Sequence, residues 1–201
     1  VDIGCTDIYG LNYDLDAAYD DGSCQYADYR VEAGMYYFNP EDLHVDIGES
    51  VQWDNVQGYH SINGDINILT GESFNNPEDF YFSATEVGLI GNHTFNTAGI
   101  YQYDCDIGNH AIQGMVGTLI VGQGGCMDNE GCNYSEEYDF QFGECSYAET
   151  NYDCNGNCIV DIDSCGVCGG EGQNGDVNLD EIINVLDITF LVEYILLYGN
   201  P

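Results

Sequence analysis

Of the ten cysteines in this 201-residue chain, only Cys105 lies between residues 29 and 122. The other nine sit in flanks rich in Gly, Asp and Asn, where apolar residues are too sparse to build a core. Short segments of that kind are held together by disulfides or metals. The middle stretch has no such staples and must fold around its own apolar interior. Cysteines used as staples imply an oxidising compartment, so a secreted or cell-surface location, extracellular or periplasmic, is expected.

The flanks repeat. Gly4-Cys5-Thr6-Asp7 recurs as Gly125-Cys126-Met127-Asp128, 121 positions on. At the same offset Asn12-Tyr13 matches Asn133-Tyr134, Cys24 matches Cys145 and Tyr26 matches Tyr147. One small module therefore occurs twice. A Cys5–Cys24 disulfide is expected and, by analogy, Cys126–Cys145. The first copy has Leu11 where the second has Cys132, so Cys132 is expected to reach one of Cys154, Cys158, Cys165 and Cys168. Cys165-Gly166-Val167-Cys168 has zinc-ligand spacing, but the gap after Cys158 is short for a ribbon, and disulfides are the expected outcome. The boundaries that follow are a Cys/Asp module at 1–28, a central domain at 29–122, a second Cys/Asp module at 123–148, a Cys-rich module at 149–172 and a C-terminal segment at 173–201.

The central stretch reads as strands. Tyr36 to Phe38, Leu43 to Ile47, Val51 to Trp53, His93 to Phe95, Ile100 to Cys105 and Val116 to Val121 are β-rich runs. Turn residues such as Asn39-Pro40, Gly48-Glu49, Gly91-Asn92 and Ala98-Gly99 separate them, a pattern of sandwiches and barrels. Residues 63–79 are polar and turn-rich and read as a long excursion. In Asn184 to Tyr198, Val185, Ile188, Leu191, Ile195 and Leu196 recur at helical spacing, with Gly199 and Pro201 as stop signals.

One Lys or Arg against 36 Asp and Glu gives a formal charge of -35. A chain so poor in cations cannot neutralise phosphates, which argues against nucleic-acid binding and against docking on an anionic membrane. The longest nearly apolar run, Ile188 to Tyr198, is interrupted by Glu193 and is too short to span a bilayer, so no membrane insertion is expected. The surplus carboxylates either solvate the surface or await divalent cations.

The chemistry-bearing segment is Tyr101-Gln102-Tyr103-Asp104-Cys105-Asp106-Ile107-Gly108-Asn109-His110-Ala111-Ile112-Gln113-Gly114-Met115. Cys105, His110 and Met115 follow one another at equal spacing, and a second imidazole stands upstream in Gly58-Tyr59-His60-Ser61. A thiolate, two imidazoles and a weak axial thioether are the ligand set of a blue-copper site. His44 and His93 have no ligand partners nearby in sequence and read as ordinary strand residues. A binuclear copper centre needs a second loop cysteine, and a catalytic copper needs further histidines. Neither is present among four histidines, which favours an electron carrier over an enzyme.

From about Ala33 to Gly122 the sequence resembles the plastocyanin/azurin branch of the cupredoxins. The resemblance rests on Leu43 to Trp53, on Phe95-Asn96-Thr97-Ala98-Gly99-Ile100-Tyr101-Gln102-Tyr103 and on the Cys-His-Met loop. It implies a Greek-key β-sandwich with copper held by His60, Cys105, His110 and Met115. Two features depart from the pattern. The Cys-to-His gap is longer than in plastocyanins and is similar to that of rusticyanin or plantacyanin. The residue after the first histidine, often an Asn that braces the ligand loop, is Ser61.

Two acidic segments carry further resemblances. The Cys5 to Cys24 loop resembles short Cys/Asp repeats of secreted bacterial proteins, loosely similar to thrombospondin type-3 repeats. That implies calcium at Asp14, Asp16, Asp20 and Asp21, against an equal alternative of a solvated acidic loop. Gly175 to Asp187 resembles one half of a dockerin. Asp176, Asn178, Asp180 and Asp187 fall at positions 1, 3, 5 and 12 of an EF-hand-like calcium loop, with the Ile182 carbonyl at position 7. Glu181 replaces the usual Gly, and no second half follows.

The expectation is thus a mainly β chain: a cupredoxin sandwich, small disulfide-rich and loop-rich modules, and a short C-terminal helix. Its cofactors would be copper and calcium, and its function single-electron transfer to a redox protein partner. The alternative is an adhesive or fibre-forming surface protein that uses the sandwich as a building block and assembles into an oligomer or filament through its C-terminal Cys-rich region.

Overall fold

The computed structural model describes residues 2–163, 166–170, 176 and 182–198. Two compact units divide the chain, one of residues 1–127 with 135–144, the other of 128–134 with 145–201.

In the first unit, β1 (Ile3–Gly4) and β2 (Tyr19–Asp20) form a two-stranded parallel ribbon within the N-terminal module. Nine strands of the sandwich follow: β3 (Tyr29–Gly34), β4 (Tyr37–Asn39), β5 (Asp42–Val45), β6 (Ser50–Asn55), β7 (His60–Asn63), β8 (Tyr81–Thr85), β9 (Gly88–Thr94), β10 (Gly99–Asp104) and β11 (Val116–Val121). β12 (Gly124–Gly125) and β13 (Phe140–Gln141) form a second small parallel ribbon. That ribbon lies 121 positions after the first, as the repeat requires.

The strands make two sheets, in the orders β4-β3-β6-β9 and β5-β11-β10-β7-β8. Alternation explains which faces pack. Val31 and Ala33 of β3, Tyr101 and Tyr103 of β10, and Leu119 and Val121 of β11 are buried, while Glu32 and Gln102 between them are exposed. Central β6 is almost wholly buried, and its Trp53 anchors the core. Around that indole lie Phe80 (ring centroids 5.7 Å apart), Phe82 (5.7 Å), Tyr103 (5.6 Å) and Phe95 (6.5 Å). Each large aromatic removes roughly 150–250 Å² from water, or about 4–6 kcal/mol gross. A core of this kind explains how the sandwich dispenses with disulfides.

The structure trims and extends the sequence reading. Tyr36, Asp46, Ile47, Phe95 and Cys105 fall just outside the strands assigned to them, Gly91-Asn92 lies inside β9 and not at a turn, and β3, β7 and β8 are additional strands of the sandwich. No strand lies between Asn63 and Tyr81, in keeping with the excursion.

The N-terminal module is closed by Cys5–Cys24 (S–S 2.05 Å) and anchored by the chain's one Lys or Arg. Arg30 bonds the buried Asp54 carboxylate through Nε (2.7 Å) and a terminal nitrogen (2.6 Å). Its guanidinium also lies against the rings of Tyr9 and Tyr26 from the module, 5.6 and 5.1 Å from their centroids.

The second unit repeats the module's lock. The Tyr147 hydroxyl donates to Asp128 (2.7 Å) as Tyr26 does to Asp7 (2.6 Å), and the Ser146 N–H bonds Asn133 as Gln25 bonds Asn12. Cys132 is bonded to Cys154 and Cys158 to Cys168. Cys126 and Cys145 are both disulfide-bonded, and Cys165 lies outside the described residues. The unit ends in α1 (Val185–Tyr198). Asn184 caps this helix rather than beginning it, accepting from Leu186 N–H (2.7 Å) while Asp187 accepts from Asn184 N–H (2.7 Å). Among the described residues no helix is long and apolar enough to cross a membrane.

Candidate metal centre

Sheet topology brings the four sequence-predicted copper ligands into one corner. β10 and β11 pair antiparallel with Asp104 opposite Val116, so residues 105–115 form the loop that joins two adjacent strands. β7 lies on the other side of β10, with Asn63 opposite Asp104, and supplies His60 from its first position. The β7–β8 register shifts between His60 and Ile62, a local irregularity of the kind that re-aims a side chain.

The loop is tied at both ends. Cys105 N–H donates to the Met115 carbonyl (3.2 Å), and the His110 carbonyl accepts from Met115 N–H (3.1 Å) and Gln113 N–H (3.0 Å). A short 3₁₀ turn, Ala111–Gln113, and Gly114 at φ +100° reverse the chain between His110 and Met115. Cys105, His60 and Met115 are buried; His110 is partly exposed.

His60 Nδ1, His110 Nδ1 and Cys105 Sγ form a triangle with edges of 3.2, 3.4 and 3.8 Å. Three ligands each about 2.0–2.3 Å from one first-row metal ion are separated by about this much. Among the described residues this is the one group of three His, Cys, Asp or Glu side chains placed to share a metal. Cys105 is also the free cysteine of the described chain. Met115 joins the same buried cluster as Cys105.

His60 is prepared as a neutral ligand. Its Nε2–H donates to the Gln57 carbonyl (2.8 Å), which leaves the Nδ1 lone pair for the triangle. Burial holds its pKa below the usual histidine value, the Gln57 bond works the other way, and nearby His110 lowers it again. Gly58 (φ +94°) makes this possible, since a Cβ there would stand 2.8 Å from His60 Nε2.

Ser61 braces the site despite replacing the usual Asn. Its hydroxyl accepts from Asp106 N–H (3.1 Å), bonds the Asp106 carboxylate closely, and lies 3.6 Å from Cys105 Sγ. Tyr81 fixes the other Asp106 oxygen (3.1 Å). The sequence reading missed Asp106, Tyr81 and Gln57. Asp106 was open to suspicion as an acid beside the cysteine, but its partners are too distant in sequence to be read. Asp104 is buried as well, accepting from Asn63 Nδ2 (2.7 Å) and Ile68 N–H (2.8 Å). Burial raises its pKa, those two bonds lower it, and Asp106 adds to the rise.

The other expected sites fare differently. His44 bonds the Gly122 carbonyl (2.6 Å) and His93 pairs with Glu78 (3.0 Å), both away from the triangle. Asp14, Asp16, Asp20 and Asp21 are not gathered into a shared metal site. Asp14 accepts from Asp16 N–H, Asp20 from Gly22 N–H and Thr6, and Asp21 from Ser23 N–H. These oxygens serve the loop's own backbone. Of the C-terminal calcium set, Asp187 caps α1, and Asn178 and Asp180 lie outside the described residues.

Residues 26–122 match the family model for copper binding proteins of the plastocyanin/azurin family. Among solved structures, a reduced amicyanin variant is 22% identical, with 46% of this chain and 80% of that one covered and a TM-score of 0.34. A purple cupredoxin from Nitrosopumilus maritimus is 23% identical, with 47% and 100% covered and a TM-score of 0.38. No curated protein matches the chain. The family match, the two sheets and the His-Cys-His triangle together support a cupredoxin domain of the plastocyanin/azurin family at residues 26–122.

Proposed function

We propose that this chain is a type 1 copper protein that carries single electrons, with His60, Cys105, His110 and Met115 as its ligands. The observation that carries the reading is the His60–Cys105–His110 triangle, buried at His60 and Cys105 and preassembled from a tied loop and a neighbouring strand. Copper bound there supplies a one-electron Cu(I)/Cu(II) couple. The protein supplies rigidity: the Cys105–Met115 backbone bond, the β10–β11 ladder and the Ser61–Asp106–Tyr81 brace hold the ligands in one arrangement. His60 and Cys105 exclude water from the inner side by their burial.

Electrons would enter and leave at His110. It lines a cleft of about 220 Å³ whose other walls include Met35, Tyr36, Tyr59 and Ile107. That apolar rim lies on a protein of charge -35, so its partner is expected to be a cationic redox protein drawn in by long-range attraction. The disulfides support a location outside the reducing cytosol. His44 and His93 are engaged elsewhere, with the Gly122 carbonyl and Glu78.

Voltammetry of the copper-loaded protein tests this. A reversible one-electron wave and fast exchange with a basic cytochrome, weakened by salt, are expected. A copper-loaded protein with no reversible wave would overturn the reading.

A further inference from the structure

The turn between β3 and β4 consists of Met35 and Tyr36, with Gly34 paired to Tyr37 across it. Tyr36 has φ +63°. This left-handed position of a tight turn is normally taken by Gly or Asn, because a Cβ is crowded there, and a bulky aromatic is an outlier. Strain of this kind persists where something else depends on it. The core does not depend on Tyr36, since the residue is 41% exposed.

What its ring does meet is His110. The two ring centroids are 5.1 Å apart at 70°, edge to face. The two ligand histidines differ in how they are held. His60 is anchored from behind by its Nε2 bond to the Gln57 carbonyl. Among the described residues, the hydrogen-bonding contacts of the His110 ring are to His60 and Cys105, both through Nδ1. The outer half of the His110 ring is therefore oriented by packing alone, and Tyr36 is the side chain that meets it edge to face from the cleft.

We infer that Tyr36 is a positioning residue for His110, fixing the orientation of the more exposed imidazole and shielding its outer edge, and that the strained turn is retained for that placement. The inference rests on the proposed copper role of His110, but it makes claims about the metal-free protein too. Replacing Tyr36 with Gly removes the ring and relieves the turn at once, so stability and site behaviour should separate.

The test compares wild type, Tyr36→Gly and Tyr36→Phe. In the metal-free protein, Tyr36→Gly should keep an unfolding equilibrium constant within about threefold of wild type, as relieved strain offsets the lost contact. Its His110 ring signals in NMR should shift and broaden while those of His60 hold. Loaded with copper, Tyr36→Gly should have a lower reduction potential, since water at the His110 edge favours the more positive oxidised site. A threefold change in the oxidised-to-reduced ratio corresponds to about 28 mV at 59 mV per tenfold. Tyr36→Phe should match wild type in both site readouts. Unchanged His110 signals in Tyr36→Gly would overturn the inference. So would a Tyr36→Phe that behaves like Tyr36→Gly, or a Tyr36→Gly destabilised more than tenfold, which would mark the ring as packing. If wild type takes up no copper, the proposed function fails, while the metal-free NMR comparison still decides the role of Tyr36.

Discussion

Arg30→Met removes the chain's one Lys or Arg and leaves the Asp54 carboxylate, 2% exposed, without its cation. Breaking a fully buried ion pair costs about 3–5 kcal/mol, whereas an exposed pair contributes about 0–1. This pair lies between those limits, because the Arg30 side chain is 44% exposed. Gln52 Nε2 still donates to the other Asp54 oxygen (2.7 Å), which moderates the loss. The two ring contacts to Tyr9 and Tyr26 go with the guanidinium, each about 0.5–1 kcal/mol at an exposed site. The sum is a loss of about 3 kcal/mol, or a fall in urea midpoint of about 1–3 M. Trp53, the chain's one tryptophan and fully buried, reports the transition by fluorescence. Adding Asp54→Asn to Arg30→Met should recover the ion-pair part of the loss, since the uncompensated charge is then gone, but not the part due to the two ring contacts. An Arg30→Met midpoint indistinguishable from wild type, or a double variant weaker than the single one, would mean that the guanidinium does not stabilise the buried carboxylate.

Two further outcomes are expected. Ser61→Ala removes the acceptor of Asp106 N–H and the partner of its carboxylate, so stability should fall by about 1–2 kcal/mol in urea unfolding, and the reduction potential of the copper-loaded protein should shift. An unchanged potential would mean that Ser61 does not brace the ligand loop. Glu78 is pushed up by burial but held on balance below the usual 4.5 by bonds from Thr97, His93 and the Asn96 N–H. A depressed carboxylate contributes stability above its unfolded pKa and loses it as pH falls through the folded value. Below about pH 4.5 wild type should therefore lose stability more steeply than Glu78→Gln, as thermal melts across pH 3–6 would show.

How much of this was legible in the sequence follows from how local each feature is. Cys105, His110 and Met115 lie on one loop, so their spacing alone announces the site. Val116 to Val121 is a β-rich run between Gly114 and Gly122, and its bounds were readable. β7 was not, because His60, Ser61 and Asn63 are polar side chains that are buried, and hydrophobic patterning is silent on such a strand. The Ser61–Asp106 bond joins residues 45 positions apart, and no local pattern announces it. Asp14, Asp16, Asp20 and Asp21 show the converse. Their spacing suits an ion, but sequence does not reveal that Asp14, Asp20 and Asp21 already accept from the backbone N–H two residues on. Tyr36 gave no signal, since its importance lies in a backbone angle unsuited to its side chain.

Anaerobic titration of the metal-free protein with Cu(II), followed by visible absorption and compared with Cys105→Ser, decides whether the Cys105 thiolate binds copper. An intense thiolate-to-copper charge-transfer band should saturate at one equivalent in wild type and be missing in Cys105→Ser. Full copper occupancy without that band, or the same spectrum in both proteins, would contradict copper binding by that thiolate.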